Sequence, residues 1–288
     1  MKKLLQLTFI IFIIFCILFY QDSVIDSINM SFTICTKGLF PSLIPFMLLS
    51  NIIINYNIIK NNIIFVVFMS MLSGAPSNSK YLKDLLDKNE LNENTINKVL
   101  TFCHYTNPIF VIYTVGFLYL NNKKLGLIII ISQYISSFIL YLKSNINNST
   151  SKNNNITNNN RFIYILSKSI YSTFNTLILI LGIITTCLII TSILNNLLNI
   201  NNNYKFIYGI LEITQGLKFL SLSNINITIK SILASFMISF GGLCIHAQVF
   251  SILDNKKIRY LSYLKSRIVH GIISSIITLI LILLCGLN

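Results

Sequence analysis

Charge is what this sequence has least of. Only 10% of its 288 residues are Asp, Glu, Lys or Arg, and just eight of these are acidic. A water-soluble domain of this length needs far more charge to cover its surface, so a soluble globular class is excluded. Paired cysteines are also missing. Cys16, Cys35, Cys103, Cys187, Cys244 and Cys285 form no Cys-x-x-Cys pair, and none has a His at ligand spacing. They read as small residues of membrane helices, with neither a disulfide nor a metal site implied. No His-Glu-x-x-His, no Gly-x-Ser-x-Gly, no embedded pair of aspartates and no Ser with a placed base occurs. An enzyme is therefore not expected, and no cofactor. The stretch from Gly74 to Lys80 has a superficial P-loop look. It lacks the second Gly before Lys80, and Tyr81 stands where Ser or Thr is needed.

What is there is apolar. More than half of the residues are hydrophobic, in runs long enough to cross a bilayer, for which about 20 residues suffice. The net charge is +14, but the Lys and Arg sit in short loops between apolar runs. That pattern reads as positive-inside topology and argues against nucleic acid as a partner. Lys2 and Lys3 precede an apolar run over 4–20 with no Ala-x-Ala cleavage pattern after it, which predicts an uncleaved first helix with a cytoplasmic N-terminus.

The expected fold is all-α and polytopic, with about eight membrane segments. A short acidic stretch (Asp22, Asp26) separates the first helix from an apolar crossing over 34–59, kinked by Pro41 and Pro45. Residues 63–72 are too short to span and run into Ser73-Gly74-Ala75-Pro76, the signature of a re-entrant or discontinuous helix. A charge-balanced polar helix is predicted over 80–98. Spans follow over 99–120, with Asn107-Pro108 inside, and over 125–142. An Asn-rich, low-complexity linker, 143–161, divides an N-terminal half (1–142) from a C-terminal half (162–288). In the second half, 162–198 holds a long span and 204–222 is shorter and more polar. The run 225–250 is interrupted at Gly241-Gly242, a basic loop covers 256–267, and 268–284 is the last span.

The halves pair through spacing. Phe68-Met69 precedes Gly74 as Phe236-Met237 precedes Gly242, which suggests inverted repeats. The loop after the first break is neutral and the loop after the second is basic. Inverted repeats would place these loops on opposite sides, with the basic one cytoplasmic.

Polar residues at membrane depth are the candidate site residues, because a charge at a helix centre costs roughly 2.5–3.5 kcal/mol on insertion scales. Glu212 is the only carboxylate between Glu93 and Asp254. It reads as a proton- or cation-coupling carboxylate, as a ligand for a substrate donor, or as an interfacial residue paired with Lys218 or Lys205. The breaks offer freed backbone groups together with Ser73, Gly74, Asn78, Ser79, Gly241, Gly242 and His246. Thr106, Asn107, Thr214 and Gln215 are predicted to line the cavity between them. His104 and His270 read as structural hydrogen bonders.

At these same residues the chain resembles sporulation integral membrane proteins of the YlbJ (SpoVV) type, which carry "nucleoside recognition" or Gate repeats. The resemblance is carried by Gly38-Leu39-Phe40-Pro41-Ser42-Leu43-Ile44-Pro45-Phe46, by Leu72-Ser73-Gly74-Ala75-Pro76 with Lys80, and by Phe102-Cys103 through Asn107-Pro108-Ile109-Phe110. It continues in Leu211-Glu212-Ile213-Thr214-Gln215-Gly216-Leu217-Lys218 and in Phe240-Gly241-Gly242-Leu243-Cys244-Ile245-His246-Ala247-Gln248-Val249, from about residue 31 to the end. Ala75, Asn78 and Ser79 depart from the family pattern at the first break. The resemblance implies two Gate-like repeats in a fold related to concentrative nucleoside transporters. It also implies a place in the cell membrane, the outer forespore membrane of sporulating cells, and movement of dipicolinic acid or another small organic anion. The alternative is a non-transporting assembly factor for spore maturation. A homo-oligomer is left open.

Overall fold

The computed structural model describes residues 2–56, 63–144, 162–254 and 257–286, without the side chains of 2–5 and 9. The linker expected at 143–161 lies almost wholly outside them. The described residues are helical with no strand, as the periodicity required. In chain order the helices are α1 (Lys2–Phe19), α2 (Gln21–Ile34), a π-helical turn (Cys35–Leu39), α3 (Phe40–Asn55), α4 (Ile63–Ser73), α5 (Ser77–Asp87) and α6 (Glu93–Phe102). There follow a π-helix (Phe110–Tyr119), α7 (Lys123–Lys143), α8 (Phe162–Leu198), a 3-10 helix (Asn202–Ile210), α9 (Ile213–Leu222), α10 (Ile227–Phe240), α11 (Gly242–Leu253) and α12 (Tyr260–Leu284).

Among the described residues, five stretches are long and apolar enough to cross a membrane: Gln21–Asn55, Lys123–Lys143, Phe162–Leu198, Ile227–Leu253 and Tyr260–Leu284. Three shorter apolar helices accompany them, Gln6–Phe19, Ile63–Ser73 and Phe110–Tyr119. Large side chains such as Ile163, Tyr171, Ile178, Leu261 and Leu284 face outward, as lipid contact demands. The chain is a multi-pass membrane protein.

Several expectations are corrected. Asp22 and Asp26 do not form a separate stretch, because α2, the π-turn and α3 run on as one 35-residue helix. The irregularity lies at Cys35–Leu39, one turn before Pro41, where Phe40 N–H reaches back to Cys35 O. The span predicted over 99–120 is two helices joined by a non-helical strip at 103–107. Pro108 has no N–H to continue α6, and Asn107 starts the next helix by accepting from Ile109 N and Phe110 N at 2.9 and 3.3 Å. The polar stretch 80–98 is likewise two helices, with Asn92 capping α6 through Thr95 N at 2.8 Å. Tyr260 already belongs to α12, so Arg267 is no loop residue.

The long helix and α8 form an antiparallel pair. Side-chain bonds run from Ser31 to Thr185 (2.8 Å), from Asn51 to Thr173 (2.9 Å) and from Asn55 to Ser169 (3.2 Å), and Asn196 reaches back to Ser23 (2.9 Å). Small polar residues suit this role, since lipid gives apolar helices no reason to associate. Elsewhere α12 packs on α10 through Ser235, Ser274 and Thr278 at 2.8 Å each.

The loops after the two breaks were expected on opposite faces. They touch: Lys257 Nζ lies 3.1 Å from Glu93 Oε1, and Asn97 Oδ1 accepts from Arg259 N at 3.0 Å. The equivalence of Gly74 with Gly242 that placed them apart is therefore incorrect. The start of α10 must lie on the other face, since α10 and α11 together cross. There Asn224 N contacts Asn203 Oδ1 at 3.4 Å, closing the two-helix unit of the 3-10 helix and α9.

Candidate functional site

Four interrupted segments converge inside the bundle. The first is the α4–α5 corner. Gly74 has φ +80, and a Cβ there would stand 2.6 Å from Asn107 N, so only glycine fits. The corner turns back through a cis Ala75-Pro76 bond. Ser73 Oγ and Ser77 Oγ share a bond of 2.5 Å, and Tyr81 OH donates to Ser73 Oγ at 3.0 Å.

The second segment, 103–107, is held by the first. Ala75 N–H donates to Tyr105 O at 2.6 Å, and Asn78 Nδ2 donates to Cys103 O. Its freed groups are completed by Gln133 of α7, whose Oε1 accepts from Thr106 N (3.2 Å) and whose Nε2 donates to Thr106 Oγ1 (3.1 Å). Gln133 escaped the sequence reading, although a lone amide inside an apolar run was its visible signal.

The third segment is the corner between the 3-10 helix and α9. Glu212 is neither lipid-exposed nor paired with Lys205 or Lys218. It is the N-cap of α9: Oε1 accepts from Thr214 N (3.1 Å), and Oε2 accepts from Gln215 N (2.7 Å) and Thr214 Oγ1 (2.5 Å). Two amides and the positive end of a helix dipole offset much of the cost of burying this carboxylate. Among the described residues it has no cationic partner. The fourth segment is Gly241-Gly242. Gly241 has φ +94, and a Cβ on it would meet His104 Nε2 at 2.6 Å. Beyond it, Cys244 N–H donates to Leu211 O at 2.9 Å.

A cavity of about 60 Å³ lies where these segments meet. Its polar lining comes from Ser73, Thr106, Asn107, Glu212, Thr214 and Gln248, and its apolar wall from the long helix and α8. Asn107 Nδ2 is buried without a partner among the described residues, a free donor on a residue that lines the same cavity as Glu212. Space of this size holds a few waters.

The structure thus brings Ser73, Thr106, Asn107, Glu212 and Thr214 to one chamber. Gly74, Asn78 and Ser79 shape the first corner behind it, with Ser79 Oγ donating to Asn78 Oδ1 at 3.2 Å. Gln215 gives its backbone N–H to Glu212, and its buried Oε1 has no partner. Gly241 and Gly242 form the fourth segment but do not line the cavity, nor does His246, whose Nε2 donates to Phe240 O at 2.9 Å.

His246 belongs to a second polar group with His104, Tyr263, Arg267 and His270. Tyr263 OH is 3.1 Å from His104 Nδ1, and its ring lies 4.9 Å from that of His246. Arg267 is fully buried. Its guanidinium donates to Thr101 O, to Leu100 O at 3.3 Å and to His270 Nδ1 at 3.0 Å. The first two are last-turn carbonyls of α6, the negative end of that helix. His270 Nδ1 also lies 3.1 Å from Ser239 O, and its Nε2 lies 3.1 and 3.3 Å from Ser137 Oγ and Gln133 O. His270 is thus a structural hydrogen bonder.

Compared with known proteins, the chain is similar to the sporulation integral membrane protein YlbJ of Bacillus subtilis (strain 168). The identity is 21% over an alignment of 341 residues, covering 97% of this chain and 83% of that relative. The similarity extends over nearly the whole chain. No family model matches it, and no solved structure does.

Proposed function

We propose, from the kinship with YlbJ-type sporulation membrane proteins and the geometry of the four broken segments, that the chain is a transporter-like protein for a small organic anion. Dipicolinate is the cargo the resemblance implies, and the outer forespore membrane is the corresponding location. The observation that carries this reading is the meeting of four non-helical segments at one polar chamber. Irregular backbone at membrane depth is tolerated where it is buried in protein or lines a cavity, and interrupted helices of this kind mark substrate sites in secondary transporters.

The repeats behind such a site are two, each a folded-back hairpin followed by an interrupted crossing. Hairpin α4–α5 pairs with the crossing of α6 and the π-helix through Ala75 N–H and Tyr105 O. The hairpin of the 3-10 helix and α9 pairs with the crossing α10–α11 through Cys244 N–H and Leu211 O. The contacts at Glu93–Lys257 and Asn203–Asn224 support an arrangement in which the hairpins enter from opposite faces. The repeats are then inverted, with the Gly74 corner equivalent to Leu211-Glu212 and the strip 103–107 equivalent to Gly241. The five long stretches and three shorter apolar helices fit about eight membrane segments.

In this reading Asn107 Nδ2 offers a donor to a carboxylate, and Glu212 is the coupling or gating group. The test is dipicolinate uptake by vesicles containing the purified full chain. Uptake that saturates and is absent from protein-free vesicles is expected. A chain that moves neither dipicolinate nor any other small carboxylate would point to the assembly-factor reading instead.

A further inference from the structure

A second cavity adjoins the chamber and is much larger, about 510 Å³. The two share Ile34, Leu39, Phe110 and Thr214 in their walls. A cavity of about 300–1,000 Å³ is the size that small ligands occupy, whereas the chamber at Glu212 has room for little more than water. The ligand-sized space is therefore this vestibule.

Its walls carry three independent marks. Both π-helical segments among the described residues, Cys35–Leu39 and Phe110–Tyr119, line it. Such widened turns are uncommon and recur at functional sites. Lys37 sits in the first of them, inside the long span, exposed and with no hydrogen bond or ion pair among the described residues. Its long apolar stem can lie along the helix while the ammonium reaches water, free to meet an entering anion. The third mark is depth. Ile54, on the same helix, accepts from Lys88 on the face shared with Glu93 and Lys257. Lys37 lies about 25 Å along the helix from it, toward the opposite face.

We propose that Lys37 is the anion-recruiting group of this vestibule, receiving a carboxylate of the substrate beside the path that Glu212 gates. This deepens the transport reading and rests on it. The ammonium supplies charge complementarity. Hydroxyls of Thr114, Tyr113 and Tyr119, which also line the cavity, can serve the remaining carboxylate oxygens. Selectivity for anions then resides at Lys37, while the carboxylate of Glu212 lies one step deeper.

The experiment measures dipicolinate uptake and its KM for the full chain in vesicles, and dipicolinate binding in lipid-free micelles. Lys37→Met is expected to raise KM about tenfold and to weaken micelle binding by a similar factor, with Lys37→Arg close to wild type. Lys37→Cys should behave like Lys37→Met. Treatment with 2-aminoethyl methanethiosulfonate, which restores an ammonium at that position, should restore KM, with treated wild-type chain as the control for the native cysteines. An unchanged KM in Lys37→Met, in a protein whose uptake Glu212→Gln abolishes, overturns the inference and leaves the transport reading standing. A difference confined to vesicles of anionic phospholipid assigns Lys37 to a lipid headgroup and overturns it too. If the wild-type chain carries no dipicolinate, the transport reading itself fails. Binding in micelles then decides the vestibule: Lys37-dependent binding supports it, and none refutes it.

Discussion

Around Glu212 a carboxylate is held by three donors at the edge of open space, and the neighbouring Asn107 keeps an unused N–H pair. Around Arg267 a guanidinium is committed to two carbonyls and a histidine, among rings packed edge to face. Both groups are buried and, among the described residues, have no opposite charge beside them, and both complete a helix end: Glu212 the start of α9, Arg267 the finish of α6. The difference is that one borders a cavity and the other fills its surroundings. A helix terminus can stabilise a charge at membrane depth for structure or for function, and the space beside it separates the two.

The contrast predicts opposite balances of stability and activity. Removing Arg267 should do the largest damage to the fold. Arg267→Met leaves the last carbonyls of α6 and His270 without their donor, at a cost of about 4 kcal/mol. Thermal unfolding in detergent should show a large fall in midpoint. Arg267→Lys should recover only part of it, because an ammonium cannot reproduce the planar fork. Next comes Gly74→Ala, which forces a side chain into a left-handed residue against the Asn107 backbone. About 2–3 kcal/mol is expected, read by the same melt. A midpoint at the wild-type value in either variant would mean that these segments are not packed as described.

Glu212→Gln should cost less, about 1 kcal/mol, because an amide oxygen can still accept from α9 while one acceptor is lost. Uptake should nevertheless vanish. The smallest effect belongs to the surface pair Lys257–Glu93. The bond from Lys257 holds the Glu93 carboxyl below its ordinary value of 4.5. A carboxyl depressed in the folded state contributes stability that is complete above that ordinary value and is lost as pH falls through the folded one. Lys257→Ala should therefore bring only a slight loss of stability at neutral pH, gone in acid and screened by salt.

How far these regions could be read in advance depended on whether the cause was local. The corners at Gly74 and Gly241 were legible because glycine and proline announce them. The strip at 103–107 was legible only in part: Pro108 marked the place and Thr106 and Asn107 were expected to line a cavity, but no residue type there fixes the path of the backbone. Its conformation is set by Ala75 across the corner and by Gln133 from another helix. Arg267 looked like one more loop cation beside Lys265, and only the docking of α6 on α12 shows why it is buried. Glu212 was conspicuous as a lone carboxylate, but its partners were sought among lysines when the nearest donors were its own next residues. The repeat equivalence went astray for a related reason. Spacing around two glycines is a one-dimensional match, whereas the hydrogen bonds Ala75–Tyr105 and Leu211–Cys244 pair each corner with a different kind of partner.

The central claim is that Glu212 couples or gates the passage of an organic anion through this protein. Its most direct test is initial dipicolinate uptake by vesicles carrying Glu212→Gln, beside wild-type chain reconstituted at equal density. Loss of uptake with a melting midpoint close to wild type is the predicted result. Uptake equal to wild type in that folded variant would contradict the claim.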